Sequence, residues 1–178
     1  ILYEPANDRC AYEGATDSRD YLYVSSLENL QSKITVYRFD DATNAFILEG
    51  AHEAENCQTF SVGGAEPNST NALFASSSGF LNPSTYLYSE VGGLKGIKNA
   101  QSLKSSSSWF DSEGMSVILN EATSKDGTKV PYFLVRAKGN DENSGPKPTV
   151  LNGYGGFRIN SLPSYSGSTG KAFLNHGM

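Results

Sequence analysis

The first half of the chain consists of short apolar runs that recur at the spacing of meandering antiparallel strands. Aromatic and β-branched residues form these runs, polar turn residues separate them, and the spacing is roughly 8–12 residues. No segment here has a long helical period. The runs are DYLYVSSL (20–27), KITVYRF (33–39), AFILEG (45–50), QTFSV (58–62), ALFASSS (72–78) and STYLYSE (84–90).

Four-stranded meanders that repeat at about forty-odd residues are typical of propeller blades, each of which packs on the next. The turn residues 41–44 (DATN) separate two of the runs. No strict repeat signature such as a WD dipeptide is present. The pattern alone therefore leaves a β-sandwich as the rival of a propeller.

The composition changes at residues 92–112, which are rich in Gly, Ser and Lys. This composition predicts a loop or an inter-domain crossing, with Trp109 and Phe110 holding its end against a packed surface. A hairpin follows in 115–137, because an Asp-Gly pair at Asp126 separates two apolar runs. The organisation is an all-β part, a linker and the opening strands of another domain.

Residues 139–148 (GNDENSGPKP) are predicted to form a polar surface loop before a third strand at 149–154. Val150 and Leu151 are consecutive apolar residues, which indicates burial on both faces of a sheet.

The charge balance argues against nucleic acid as a partner. Lys and Arg number 14 against 19 Asp and Glu, for a net charge of -5, which repels phosphate backbones. No apolar run approaches the ~18 residues of a membrane helix. We expect a soluble protein, and we read Ile1 and Met178 as cuts through a longer one whose true N-terminus could carry a signal.

The cysteines and histidines offer no metal or cofactor site. Cys10 and Cys57 are isolated and are predicted to be free thiols, with a disulfide as the less favoured alternative. His52 and His176 have no partner at metal-ligand spacing. We expect neither a metal nor an organic cofactor.

Nucleophile motifs are also absent. The sequence 166–170 (SGSTG) approaches the G-x-S-x-G elbow but begins with serine and follows a Pro/Ser-rich stretch instead of a strand. No Walker loop, H-E-x-x-H or G-x-G-x-x-G motif is present.

The sequence NGYGGF (152–157) sets one tyrosine among three glycines. Glycine permits turns that side chains forbid and lets other groups approach the backbone closely. Tyr154 is therefore expected to be presented by the turn rather than packed away.

Three segments together resemble the prolyl oligopeptidase family of serine peptidases: ATSKDGTKVPYFLVRAKG (122–139), PTVLNGYGGFRINSLPSYS (148–166) and AFLNHGM (172–178). SKDGTK and YGGF in that order are the specific elements, while YEPANDR (3–9) and GFLNPSTYLYS (79–89) are looser.

The resemblance implies a β-propeller followed by an α/β-hydrolase domain. In that family the propeller has seven blades, so residues 1–93 would be its last, incomplete blades. Residues 94–110 would be a linker, and 111–178 would open the peptidase domain, truncated before the nucleophile.

The resemblance also assigns candidate site residues. Tyr154 would donate its hydroxyl hydrogen to the oxyanion, and Phe157 would line the pocket for the substrate proline ring. Gly155 and Gly156 would also be substrate-binding residues, which together with Gly153 would let the backbone turn tightly beside the scissile carbonyl. Asn152 and Arg158 depart from the family pattern, and the charge of Arg158 would favour a different substrate flank.

The implied activity is hydrolysis of short proline-containing peptides on the carboxyl side of proline, by a cytoplasmic protein that is a monomer when full length. The Ser, Asp and His of the family follow YGGF, so we expect this chain to be inactive by itself. The alternatives are a family member that cleaves after basic residues and a truncated, non-catalytic binding module.

Overall fold

A computed structural model describes residues 1–55, 57–140 and 145–178. Most of the regular structure is antiparallel strand, and the helices are short. The strands are β1 (Cys10–Ser18), β2 (Tyr21–Glu28), β3 (Gln31–Asp40), β4 (Ala45–Glu53), β5 (Gln58–Gly64), β6 (Leu73–Gly79), β7 (Thr85–Ser89), β8 (Gln101–Ser105), β9 (Ser116–Thr123) and β10 (Lys129–Arg136). The helices are α1 (Gly93–Lys98) and α2 (Gly167–Ala172), with 3-10 turns at Gly156–Arg158 and Leu174–His176.

Two four-stranded antiparallel meanders hold the first eight strands, in the orders β1-β2-β3-β4 and β5-β6-β7-β8. All six predicted runs are strands, and the predicted turn at 41–44 is present, with Asn44 at a φ of 50°. The sequence analysis missed β1, whose CAYEGATDS sequence carries few apolar residues. Its pairing with β2, with a bulge between Tyr12 and Gly14, holds it in place instead.

The prediction that 92–112 is irregular is wrong for its first part, because α1 and β8 lie there. Ile97 of α1 is buried in the core, and β8 pairs with β7 as the outer strand of its sheet. All five β8 residues are exposed, so a polar strand is tolerated at that edge. The domain boundaries at 93 and 110 stay a prediction.

The two meanders pack on each other through β5, which lies against β1, β2 and β3. One apolar cluster fills the space between the sheets: Tyr23, Ile34, Val36, Val62, Leu73, Ala75 and Ile97. Tyr23 is fully buried, and its hydroxyl accepts the Gly93 N–H at 3.0 Å and lies 3.2 Å from the Ser18 hydroxyl. Burial raises the pKa of Tyr23. This phenol therefore ties β1, β2 and α1 together inside the core.

A second tie between the sheets is polar. The side-chain NH₂ of Asn71 donates to the Asp20 carboxylate at 2.5 Å, and the Asp20 backbone N–H donates to the side-chain oxygen of Asn71 at 2.9 Å. Arg19 is bonded to the same carboxylate at 2.8 Å. The hydrogen bond from Arg19, which has the larger effect, and the one from Asn71 lower the pKa of Asp20 to about 2. The β1–β2 turn is thus fixed to the loop before β6.

The predicted Asp-Gly hairpin is confirmed, with β9 and β10 paired across a turn in which Gly127 has a φ of 88°. It contacts the meanders through Phe133, whose ring lies 5.3 Å from that of Phe80, and through Glu121, which pairs with Arg9 at 2.6 Å. The hairpin is a separate two-stranded sheet.

The third predicted strand is wrong: residues 149–154 are neither strand nor helix. Val150 is 53% exposed and Leu151 95% exposed. A strand buried on both faces needs a hydrogen-bonded neighbour on each side, and the described part of the chain supplies none. Residues 139, 140 and 145–148 of the predicted polar loop have no regular strand, and 141–144 lie outside the described residues.

Within the described ranges, no helix is both long and apolar enough to cross a bilayer.

Replacing Tyr23 with Phe is expected to lower the free energy of unfolding by about 1–3 kcal/mol, because the buried Gly93 N–H loses its acceptor. Urea unfolding measures the change. Tyr86→Phe is the matched control, since this phenol is exposed on β7 and its loss is expected to cost under about 0.5 kcal/mol. Equal losses in the two variants would contradict the role given to Tyr23.

Asp20→Asn is expected to destabilise the protein at neutral pH and progressively less in acid. A carboxyl with a depressed folded pKa stabilises the fold above its ordinary pKa of about 3.9, and that contribution is lost as the pH falls toward 2. Unfolding midpoints of the protein and the variant from pH 7 to pH 2 should therefore converge below about pH 4. Asp17→Asn, at an exposed carboxylate of the same strand end, should show no such convergence, and a gap for Asp20→Asn that is constant with pH would refute the account.

Candidate functional site

The segment that carries Tyr154 is an exposed loop between the hairpin and α2. From residue 145 to 155 it has no helix or strand, and a single 3-10 turn follows at Gly156–Arg158. Tyr154 itself is 57% exposed. The expectation from sequence that this tyrosine is presented and not packed away therefore agrees with its exposure.

The phenol of Tyr154 folds back over Gly156. A Cβ at position 156 would lie 2.8 Å from the Tyr154 hydroxyl oxygen and 3.0 Å from Cζ, whereas a Cβ at Gly153 or Gly155 would meet nothing within 4 Å. Of these three glycines, only Gly156 has another group at a distance that a Cβ would disturb. Among the described residues the hydroxyl has no hydrogen-bond partner, so its hydrogen is free to donate.

Phe157 adopts a backbone conformation that is unusual for a large side chain. Its φ is 54° and its ψ is 23°, in the left-handed region, and its ring is 89% exposed. A bulky residue at positive φ is a genuine outlier, and such residues cluster at functional sites. The ring projects from the turn into solvent, and no pocket for a proline ring closes around it within the described residues. The side chain of Arg158, for which the sequence suggests a role at the substrate flank, lies outside those described.

The loop is fastened to the second meander at residues 163–166. The Pro163 carbonyl accepts the Thr59 hydroxyl at 3.3 Å, the Tyr165 N–H donates to the Ser78 hydroxyl at 3.2 Å, and the Ser166 N–H donates to a backbone carbonyl at 3.1 Å. Pro163 is buried. These bonds give the loop a fixed end on β5 and β6.

The predicted anchoring role of Trp109 and Phe110 has a structural basis in Tyr165. Phe110 is buried and stacks on the Tyr165 ring, with centroids 5.6 Å apart and an interplanar angle of 6°. The Trp109 side chain is more than half exposed, but the backbone N–H of this residue donates to the Tyr165 hydroxyl at 2.8 Å. A Cβ at Gly170 would lie only 2.2 Å from the Phe110 ring. The sequence analysis missed Tyr165, since no motif marks it.

The SGSTG sequence is the beginning of α2 and not a nucleophile elbow. Ser166 lies at the N-cap of the helix, and Ser168 is exposed within it. No strand leads into the turn. In the described part of the chain Ser168 has no hydrogen bond to a histidine.

The remaining chemically active side chains lie apart from this loop. His52 packs on Phe60 with ring centroids 4.4 Å apart, and burial lowers its pKa. Cys10 and Cys57 are free thiols, and burial raises the pKa of Cys57. Across the described ranges no three His, Cys, Asp or Glu side chains group into a metal site.

Relatives found by sequence are peptidases. An uncharacterized peptidase of Sinorhizobium fredii is 34% identical over 178 residues, and another of Rickettsia prowazekii is 30% identical over 180 residues. Each match covers 99% of this chain and 23% of the relative. A prolyl endopeptidase of Dictyostelium discoideum is 30% identical over 91% of this chain and 20% of its own length. No family model matches the chain.

Solved structures of related peptidases superpose on this chain. A post-proline cleaving enzyme from Rickettsia typhi superposes with a TM-score of 0.77 at 20% identity, over 99% of this chain and 24% of its own. Oligopeptidase B from Trypanosoma brucei, with covalently bound antipain, gives 0.77 at 22% identity, over 98% of this chain and 24% of its own. The antiparallel sheets, which form no closed barrel, match the propeller region of these neighbours.

The chain spans about a quarter of the length of the relatives and structures that it matches. Within that span the similarity is continuous from end to end, and the two meanders, the hairpin and the YGGF loop all fall inside it. This chain belongs to the prolyl oligopeptidase family of peptidases.

Proposed function

We propose that the complete protein is a serine endopeptidase that hydrolyses short peptides on the carboxyl side of proline. This chain would contribute the last propeller blades in residues 1–93 and the start of an α/β-hydrolase domain in 111–178, joined through 94–110. The catalytic Ser, Asp and His would come from the part of the protein outside these residues, so the chain alone would be inactive.

The observation that carries the proposal is the presentation of two aromatic side chains by one glycine-containing turn. The Tyr154 hydroxyl lies over Gly156 with its hydrogen free to donate, and Phe157, three positions along the chain, projects from a left-handed backbone. A donor that is fixed before charge develops is what an oxyanion site requires. The apolar ring of Phe157 supplies a surface for a substrate side chain.

In the proposed mechanism the serine attacks the scissile carbonyl while the histidine takes its proton and the aspartate holds the histidine tautomer. The carbonyl oxygen becomes an oxyanion as the tetrahedral intermediate forms. Tyr154 would donate a hydrogen bond from its hydroxyl to that oxyanion, and a backbone N–H would donate a second one. This hydrogen bond stabilises the charge of the oxyanion and involves no proton transfer.

Phe157 supports proline specificity over cleavage after basic residues. A flat apolar ring packs on the pyrrolidine ring of proline and offers no countercharge to Lys or Arg. The competing specificity, for Lys or Arg, would need an acidic group at the same place. Short peptides as substrates, a monomeric state and a cytoplasmic location are part of the same proposal.

A purely non-catalytic binding module is the less favoured function. The Leu151 side chain is almost fully exposed, and exposed apolar groups of this kind are normally covered by another surface. The complete peptidase domain would supply that surface.

Tyr154→Phe in the complete protein is expected to lower kcat about 10²-fold with a small change in KM, because the donor acts mainly in the transition state. Hydrolysis of a chromogenic peptide with proline before the scissile bond measures both constants. Tyr132→Phe is the control, since Tyr132 is an exposed phenol on β10. An unchanged kcat in Tyr154→Phe would remove this residue from the mechanism.

Gly156→Ala is expected to reduce kcat about tenfold without a large loss of stability. The new methyl group would displace the flexible end of Tyr154 and so move the donor, and misplacement by about 1 Å can cost as much as 10²-fold. Gly153→Ala is the matched substitution, because its Cβ would meet open space. If the two variants retained the same kcat, the close approach at Gly156 would have no catalytic meaning.

A further inference from the structure

Tyr165 joins three parts of the molecule that are distant in sequence. Its hydroxyl accepts the Trp109 N–H at 2.8 Å, its ring stacks on buried Phe110, and its own N–H donates to the Ser78 hydroxyl at 3.2 Å. The residues around it therefore connect the end of β6, the segment that enters the hairpin and the segment that leaves the YGGF loop.

The loop before Tyr165 has few other restraints. Among the described side chains and backbone, the hydrogen bonds of residues 145–162 are local ones, such as Ile159 N–H to the Gly156 carbonyl at 3.1 Å. On its other side the nearest buried residue is Ala137, at the end of β10. The first attachment of the loop to the sheets after Tyr154 is thus the 163–166 segment.

Tyr165 contributes the aromatic part of that attachment. Pro163 and Ser166 each add one hydrogen bond to the second meander. Of these three residues, Tyr165 is the one that also contacts Trp109 and Phe110. Because those two residues come just before the hairpin, Tyr165 fixes both the beginning and the end of the segment that contains the loop.

We propose that Tyr165 is a positioning residue that sets the place of the Tyr154 hydroxyl by holding the loop to the second meander. The inference rests on the proposed function, in which Tyr154 is the oxyanion donor. Tyr165 would touch neither substrate nor the reacting atoms and would act only through Tyr154.

A double-mutant cycle in the complete protein tests this. Tyr165→Phe keeps the ring stack and removes the hydroxyl, which accepts the Trp109 backbone N–H and lies 3.4 Å from the Ser108 hydroxyl. We therefore expect kcat to fall about tenfold and KM to change less than about twofold. In a Tyr154→Phe background the same substitution should have no further effect on kcat, since the donor that it positions is already absent. The substrate is again a chromogenic peptide with proline before the scissile bond.

Two further variants separate positioning from general support of the fold. Tyr132→Phe removes an exposed phenol from the hairpin and should leave kcat unchanged. Ser78→Ala removes the acceptor of the Tyr165 N–H and should reproduce the kcat loss and the non-additivity if Tyr165→Phe does not fold. Thermal unfolding of each variant confirms that the protein assayed is folded.

The outcomes are distinct. Losses that multiply in the double variant, or an unchanged kcat in folded Tyr165→Phe, would overturn the positioning role while leaving Tyr154 as donor. An unchanged kcat in Tyr154→Phe would overturn the donor and the positioning role together. A loss in each single variant with no additional loss in the double variant is the result that the proposal requires.

Discussion

The packing of the second meander on the first, through β5 and the buried Tyr23, is the constraint on which the rest of the structure depends. The apolar cluster between the sheets fixes their relative position, and the Tyr23 hydroxyl satisfies a backbone N–H at the start of α1 inside it. A buried donor without an acceptor is costly, so the polar tip of this residue is as important as its ring. The bonds from Pro163 and Tyr165 to the second meander end on strands that this core holds in place.

The candidate site is attached to that platform and not built into it. The YGGF loop has little regular structure, and its downstream end is held by Pro163, Tyr165 and Ser166 on β5 and β6. This division suits a catalytic donor, because functional residues are often carried on loops that a rigid scaffold positions. In the proposal, the precision of the Tyr154 hydroxyl comes from the attachment and from the absence of a side chain at Gly156.

Local sequence was sufficient for the meanders and insufficient at their margins. Alternating apolar runs predict six strands because each has one face on the core, and the Asp-Gly pair predicts the hairpin through its required turn geometry. Strands β1 and β8 were not predicted, because their sequences carry no alternating apolar pattern. Each is an edge strand that is held by pairing with one neighbouring strand. The strand expected at 149–154 failed for the converse reason: Val150 and Leu151 are apolar enough for a buried strand, but the described residues offer no neighbours to bury them.

The candidate site residues Tyr154, Phe157 and the neighbouring glycines were predicted from the YGGF motif and the family resemblance. The sequence could not supply Tyr165, whose importance arises from contacts with residues 56 and 87 positions away. Nor could it separate Gly156 from Gly153 and Gly155, since that distinction depends on where the phenol of Tyr154 lies. Contacts between distant segments are a property of the fold and not of a local pattern.

The central claim, that Tyr154 is the oxyanion donor, is tested most directly by a crystal structure of the complete protein with a peptide aldehyde ending in proline bound to its serine. The account predicts that the Tyr154 hydroxyl lies about 2.7–3.1 Å from the hemiacetal oxygen, the range of a hydrogen bond to an oxyanion. A separation above about 4 Å, with the aldehyde covalently bound and ordered, would contradict it.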